Sequence, residues 1–346
     1  MAQVLNIFSK DTELSDFEIK VLREILAASG APDGALNEAE ISKVFTDFFY
    51  TLYSMPVENG IIHIKVSVHK DIFDYEESMV SGRKNGCSRV TGVFIESGEI
   101  SGGLYYSVSA VYDCVPLTAS LGKSRNTLIL LLGMVNVLAK HTSDGLPSQE
   151  SVYNNFFQFH NFTSSISERH RSKFTLSNED MGLKEINDIS QVCYNLFKKN
   201  ILDKFNGEDF CLGPIRPVDL IVSESTSCPF IGFAPHINRG SKLVDLACLP
   251  WYIDFDQKSF ARVVYKWDAK TGSQVDNLIP YSWIPAFYLT LVDELMSITM
   301  QTHIGTQSRL LNSERYKRLR GHLNLHTEFK EHLPRLDKIF IEKYLT

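Results

Sequence analysis

The sequence predicts an α+β chain in which helices and antiparallel sheets come in blocks. Three observations point there. Residues 60–69, GIIHIKVSVH, alternate, with Ile62, Ile64, Val66 and Val68 on one face and His63, Lys65, Ser67 and His69 on the other. That is the period of a half-buried strand. Capping signatures such as Ser15-Asp-Phe-Glu18 precede apolar runs of helical spacing. Strand-forming and helical segments are grouped rather than interleaved, which disfavours a doubly wound sheet. The expected architecture is a helical hairpin and antiparallel sheet in the N-terminal half. A long helix, an antiparallel β meander and three C-terminal helices follow in the second half.

Taken in order, Ser15 opens a helix over residues 16–28, with Phe17, Val21, Leu22, Ile25 and Leu26 at helical spacing and Gly30 as its C′ residue. Asn37 is expected to cap a second helix lined by Ile41, Val44, Phe45, Phe48, Phe49 and Leu52, which Pro56 stops. After the alternating strand comes a polar loop containing Gly82, Lys84 and Gly86. Strands are then expected over 87–97 and 104–112, joined by a glycine-rich hairpin at 98–103. A long apolar helix covers 124–141. Residues 142–147, TSDGLP, read as a linker, so the chain is expected to divide into lobes 1–145 and 146–346, or to form one domain across that break.

In the second half, Ser148 opens an aromatic-rich helix, and Ser177 and Asp180 precede a long helix to Phe205. Strands over 210–212, 218–223 and 230–233 lead into 241–267, the stretch around which the expected sheet is built. There Leu243, Val244, Leu246, Ala247 and Leu249 form an apolar run ended by Pro250. Trp251, Ile253 and Phe255 alternate with Tyr252, Asp254 and Asp256, which places Asp254, Asp256 and Lys258 on one strand face. Residues 260–267 read as the next strand and Gly272 as a turn. Helices close the chain at 283–301, 306–320 and 328–344.

The chain has 346 residues, 44% of them hydrophobic, and a formal charge of −6. Such a chain can bury a core, and its charge argues against bulk coating of nucleic acid while leaving room for a local basic patch. The six cysteines show no CxxC and no zinc spacing with histidine. The longest apolar run, 127–139, is shorter than the roughly 20 residues that span a bilayer. No secretory leader is read at the N-terminus, so a cytoplasmic place is expected, without membrane association.

Four clusters carry possible chemistry. Asp245 followed by Asp256-Gln-Lys258, with Asp254 and Glu224 near, fits the permissive D…DxK pattern of metal-dependent nucleases, in which acids hold Mg²⁺ and the lysine positions water. Asp245 and Asp256 would be the metal ligands. The bland alternative is a solvated strand face. Gly122-Lys123-Ser124 stands before a helix, but Leu117 occupies the position where a phosphate-binding loop needs glycine. Arg309, Arg315, Lys317, Arg318 and Arg320 make a basic stretch suited to phosphates or to partner acids. His322 and His326 are four apart, without the intervening acid of a zinc-protease helix.

No catalytic motif is complete, and the sequence leaves open whether the chain is an enzyme. The reading drawn from this is a soluble interaction or assembly protein acting in a complex, with a protein partner or a second copy. Its 22 Phe and 14 Tyr would furnish apolar surface. No cofactor is evident. The alternatives are a nuclease using Asp245, Asp254, Asp256 and Lys258 with Mg²⁺, and a nucleic-acid-binding module using the basic stretch.

Overall fold

The computed structural model describes residues 14–29, 41–46, 51–57, 60–67, 93–112, 114–116, 125–140, 143–158, 181–215, 220–223, 229–231, 236–252, 255–300 and 306–341. The chain divides into two compact units, Met1–Leu117 with Val218–Pro235, and Thr118–Pro217 with His236–Thr346. The expected division at 145 falls within the second unit.

The first unit is built on an antiparallel sheet. Helix α1 (Asp16–Ala28) starts at a capping box: the Glu18 amide donates to Ser15 Oγ and the Ser15 amide to Glu18 Oε2. Strands β1 (Ser42–Thr46), β2 (Thr51–Val57), β3 (Gly60–Ser67), β4 (Val93–Ile100) and β5 (Leu104–Tyr112) pair in the order β1-β2-β3-β5-β4. The β4–β5 hairpin turns through Gly102 and Gly103 at φ +87° and +72°, where a side chain would be strained. Ile64 and Val66 of β3, with Tyr53, Met55, Tyr106 and Val108, pack against Val21, Leu22, Ile25 and Leu26 of α1. A three-stranded sheet of β6 (Cys114–Pro116), β8 (Leu220–Ser223) and β9 (Pro229–Ile231) belongs to the same unit.

The second unit is mainly helical. Among the described residues it comprises α2 (Arg125–Leu138), α3 (Gln149–Phe156), α4 (Leu183–Phe197) continued by a π turn over Lys198–Leu202, and six further α-helices. These are α5 (Lys242–Tyr252), α6 (Gln257–Trp267), α7 (Ala269–Ser282), α8 (Ile284–Met300), α9 (Thr306–Leu323) and α10 (Leu333–Phe340). The short strands β7 (Asp209–Cys211) and β10 (Asn238–Gly240) pair antiparallel. The core includes Tyr153, Phe156, Phe157, Phe197 and Tyr288, whose rings lie 4.7–6.4 Å apart by centroid in the pairs they form. Among the described residues no helix is long and apolar enough to cross a membrane.

The α+β class stands, but two of its expected elements do not. The meander expected over 241–267 is replaced, where described, by the helices α5 and α6. Short apolar runs such as 243–249 fit a strand or a buried helix equally, and here α5 is buried almost throughout, Pro250 included. In α6 the buried residues are Phe260, Val263 and Val264, an i, i+3, i+4 set that alternation obscured. Asp256 and Asp268 are N-caps of α6 and α7. Gly272 is not a turn residue but the place where α7 meets α6: a Cβ there would lie 3.0 Å from Tyr265 Cα. The expected helix after Asn37 is replaced by β1 and β2 where described. Its helical-looking apolar spacing is overridden by cross-strand pairing of a β-branched and aromatic segment. Asn37, Phe48 and Phe49 lie outside the described residues.

Candidate functional site

The strict alternation of β3 gives the first unit a second, polar face. Opposite the α1 core, Ser54, His63 and Ser109 form one row across three strands, and Leu52, Lys65 and Ser107 form the next. All six are buried, Lys65 to 2% exposure and Ser107 to 0%. A lysine is rarely this buried without a role or a partner, and a buried polar face is costly unless its groups are matched. Burial, and secondly the Lys65 charge, push the His63 imidazole down to about 4. It is therefore neutral at pH 7 and available as one donor and one acceptor. Ser109 Oγ is buried without a hydrogen-bond partner in the structure.

A second charged group braces the other side of this sheet. Glu18 accepts from Lys43 Nζ at 2.7 Å and from the Tyr53 hydroxyl at 2.9 Å. Burial raises the Glu18 carboxyl, but the bonds from Lys43, Ser15 and Tyr53 outweigh it and hold the group at about 2. Ser101 donates from its amide and hydroxyl to Glu24, which ties the β4–β5 turn to the same helix.

In the second unit a buried carboxylate organises the loop after β7. Asp245, 2% exposed in α5, accepts from the Leu212 amide at 2.6 Å and from the Gly213 amide at 3.1 Å. Burial raises its carboxyl to about 7 against the lowering effect of those two amides. Gly213 sits at φ +69°, and a Cβ there would come within 2.5 Å of the His236 carbonyl. Pro214 and Ile215 continue the buried segment. Asn238 Nδ2 donates to the same His236 carbonyl, and Gln149 exchanges two hydrogen bonds with the Ser241 backbone. The loop from 212 to 215 is thereby fixed by backbone bonds and close approaches.

The residues expected to form a metal site do not share a strand face. Asp245 is committed to two amides. Asp256 is an exposed N-cap accepting from the Ser259 amide at 2.8 Å, and Lys258 is exposed on α6. Asp254 and Glu224 lie outside the described residues, as does Gly122-Lys123-Ser124. Among the described residues no three His, Cys, Asp or Glu side chains gather as a metal site would need. In the basic stretch, Arg320 makes a bidentate pair with Asp337, which also accepts from Tyr316. Arg315 and Arg318 have interactions of their own, Lys317 is exposed, and Arg309 lies on α9. His322 packs on Trp251 and Trp283, and His326 on Tyr281 and Trp283. Burial, then His326, pushes His322 below its usual value. Burial pushes the Cys193, Cys211 and Cys248 thiols well up, so none is a ready nucleophile.

Neither a family model nor a curated protein sequence matches this chain. Solved structures do. The choline kinase LicA of Streptococcus pneumoniae aligns over 89% of this chain and 99% of its own, with TM-score 0.55 and 10% identity. An ethanolamine kinase of Plasmodium vivax aligns over 88% and 90%, with TM-score 0.56 and 9% identity. An aminoglycoside 2'-phosphotransferase in its GDP complex aligns over 87% and 98%, with TM-score 0.55 and 12% identity. The five-stranded sheet and the helical remainder are those of a protein-kinase-like α+β fold. This overturns the interaction or assembly protein that was read from an absence of motifs. The nuclease goes with it, since Asp245 and Lys258 lie on two helices and Asp256 caps the second, not on one strand face.

Proposed function

We propose that this chain is a kinase-like protein that takes a nucleoside phosphate on the polar face of its five-stranded sheet. The buried Lys65 on the middle strand carries the reading. Kinases place a lysine on their third strand against the nucleotide phosphates, an eight-residue loop H-R-D-L-x-x-x-N whose aspartate is the base, and a D-F-G whose aspartate holds Mg²⁺. In element order, Lys65 stands at the lysine. Residues 212–219, LGPIRPVD, follow β7 and have the length of the loop. Pro214 then takes the place of the aspartate and Asp219 that of the asparagine. Gly232-Phe-Ala234 follows β9 at the place of D-F-G, with glycine for its aspartate.

The nucleotide class is supported by the bound states named for similar structures, AMP for LicA and GDP for the aminoglycoside phosphotransferase. His63, neutral and beside Lys65, supplies a donor and an acceptor for a ligand, and Ser109 Oγ a hydroxyl that the protein leaves unpaired. Transfer to an acceptor hydroxyl is weakened at Pro214, because a general base contributes about 10²–10⁴-fold and proline has none to offer. Asp219 is the observation that favours a second reading, a phosphotransferase whose loop carboxylate has moved five positions along. A cytosolic place, where nucleoside phosphates are abundant, belongs to the proposal, and cell fractionation checks it.

Calorimetric titration with ATP, ADP, GTP and AMP, on the wild type and on Lys65→Met, is the test. Binding is expected in the wild type and weakening by about tenfold or more, 1.4 kcal/mol, in the variant, with the ligand-free melting temperature recorded for both. Equal binding by both proteins overturns the reading. Phosphate transfer to choline, ethanolamine and an aminoglycoside is measured alongside; turnover that disappears in Asp219→Asn would establish the second reading.

A further inference from the structure

We infer that His63 and Ser109 are specificity-determining residues that hold the nucleoside part of the ligand, an inference that rests on the proposed nucleotide reading. The two stand in one polar row of the sheet, made by Ser42, Ser54, His63 and Ser109 on β1, β2, β3 and β5. Within that row Ser54 Oγ is served by the protein, since it shares a 2.8 Å hydrogen bond with Ser42 Oγ. Ser109 is 7% exposed, and its hydroxyl has no hydrogen-bond partner in the structure. Buried side-chain hydroxyls are nearly always paired, and an unpaired one costs stability that a packed methyl group would not. A ligand group seated against Ser109 Oγ removes that cost on binding.

Position 63 departs from the kinase pattern in the same sense. Residues 62–65 read Ile-His-Ile-Lys, against the V-A-I-K that kinases carry on this strand. In place of a methyl group this chain has an imidazole, able to donate from one nitrogen and accept at the other. Strand alternation sets His63 and Lys65 on one face, about 6.6–6.8 Å apart. A step of that size from the residue at the phosphates is long enough to reach the nucleoside, and the chemistry of the row fits that part of the ligand. It consists of serine hydroxyls and an imidazole that burial and Lys65 hold at about 4, so it carries no full charge at pH 7. Such groups suit the hydroxyls of a sugar or the edge of a base, which are uncharged donors and acceptors. A phosphate at His63 would call instead for an imidazolium.

The experiment is calorimetric titration of ATP and of inorganic tripolyphosphate into the full chain, as wild type, Ser109→Ala, His63→Ala and His63→Gln. Ser109→Ala is expected to melt higher than the wild type without ligand, because an unpaired buried hydroxyl is gone. It is nevertheless expected to bind ATP about two- to tenfold more weakly, the range for one net hydrogen bond. A merely structural serine would not move the two readouts in opposite senses. His63→Ala should lose at least as much ATP affinity, and His63→Gln, which keeps a donor and an acceptor, should recover part of it. Tripolyphosphate should bind all four proteins equally, however weakly. ATP affinity unchanged in both Ser109→Ala and His63→Ala overturns the inference and leaves the nucleotide reading intact; that is the outcome if water alone fills the row. An equal loss for tripolyphosphate overturns it as well, since the row would then serve phosphates. Absence of ATP binding by the wild type overturns the nucleotide reading itself and the inference with it.

Discussion

The Asp245 carboxylate holds the Leu212 amide at 2.6 Å, across 33 residues of sequence and inside a buried helix. With the adjoining bond to Gly213 it fixes the start of one short loop. The unusual ionisation of Asp245 gives the first prediction. Its carboxyl sits at about 7 in the folded chain, against about 3.9 in an unfolded one. A raised acid favours folding while protonated. Its contribution is full below pH 4, is lost as pH rises towards 7, and is constant above. Asp245→Asn keeps one acceptor of two and is expected to lose about 1–3 kcal/mol. It should also flatten the pH 4–7 slope in denaturant melts.

Glu18 gives the opposite sign. Held at about 2 against an ordinary carboxylate value in the unfolded chain, it stabilises above about pH 4.5 and loses that contribution as pH falls to 2. Glu18→Gln should cost about 1–3 kcal/mol at pH 7 and reduce the acid sensitivity of melting. Gln keeps one acceptor oxygen of two, so this variant loses the ionic character of the Lys43 pair and part of the set of bonds that Glu18 accepts from Lys43, Ser15 and Tyr53.

Gly213→Ala combines a disfavoured φ of +69° with a Cβ placed 2.5 Å from the His236 carbonyl. Strain of this kind costs about 1–3 kcal/mol before the clash is counted. Thermal melting should show a large destabilisation, and nucleotide binding, if the loop contributes to it, should fall as well. Gly102→Ala, at a φ of +87° in open space, is the control: strain without a clash.

Asp256→Ala and Lys258→Ala separate the observed fold from the expected metal site. Loss of the Asp256 cap should cost about 0.5–2 kcal/mol. Lys258→Ala, at an exposed position, should change stability by less than about 0.5 kcal/mol. Calorimetric binding of ATP should be the same in both variants as in the wild type.

Much of the first unit was legible. The alternation of residues 60–67 predicts β3, its core face and its polar face, and Ser15 and Glu18 predict the capping box. The three C-terminal helices also lie close to where their periodicity puts them. The second unit misled where burial is complete on all sides. α5 has no polar face to mark a period of 3.6, and Asp254 and Asp256 alternate by coincidence with aromatic residues. Lys65 was visible as a residue of the polar strand face but not as a site, because only the pairing of β3 with β2 and β5 surrounds it with Ser54, Ser107 and Ser109. The loop at 212–219 could not be found by motif, since the residues that would announce it are Pro214 and Gly232. The clue that remained was a glycine two residues after Cys211 and an acid, Asp245, in an otherwise apolar run.

Because Asp245 grips main-chain N–H groups, it takes no account of the side chains at 212 and 213. The path of that loop and the reactivity of its side chains are therefore separately encoded. Side chains can be exchanged along it without redrawing its course, provided position 213 stays glycine. An engineer wishing to install a new acid or base in this protein starts with a ready-made cradle rather than a loop to be built.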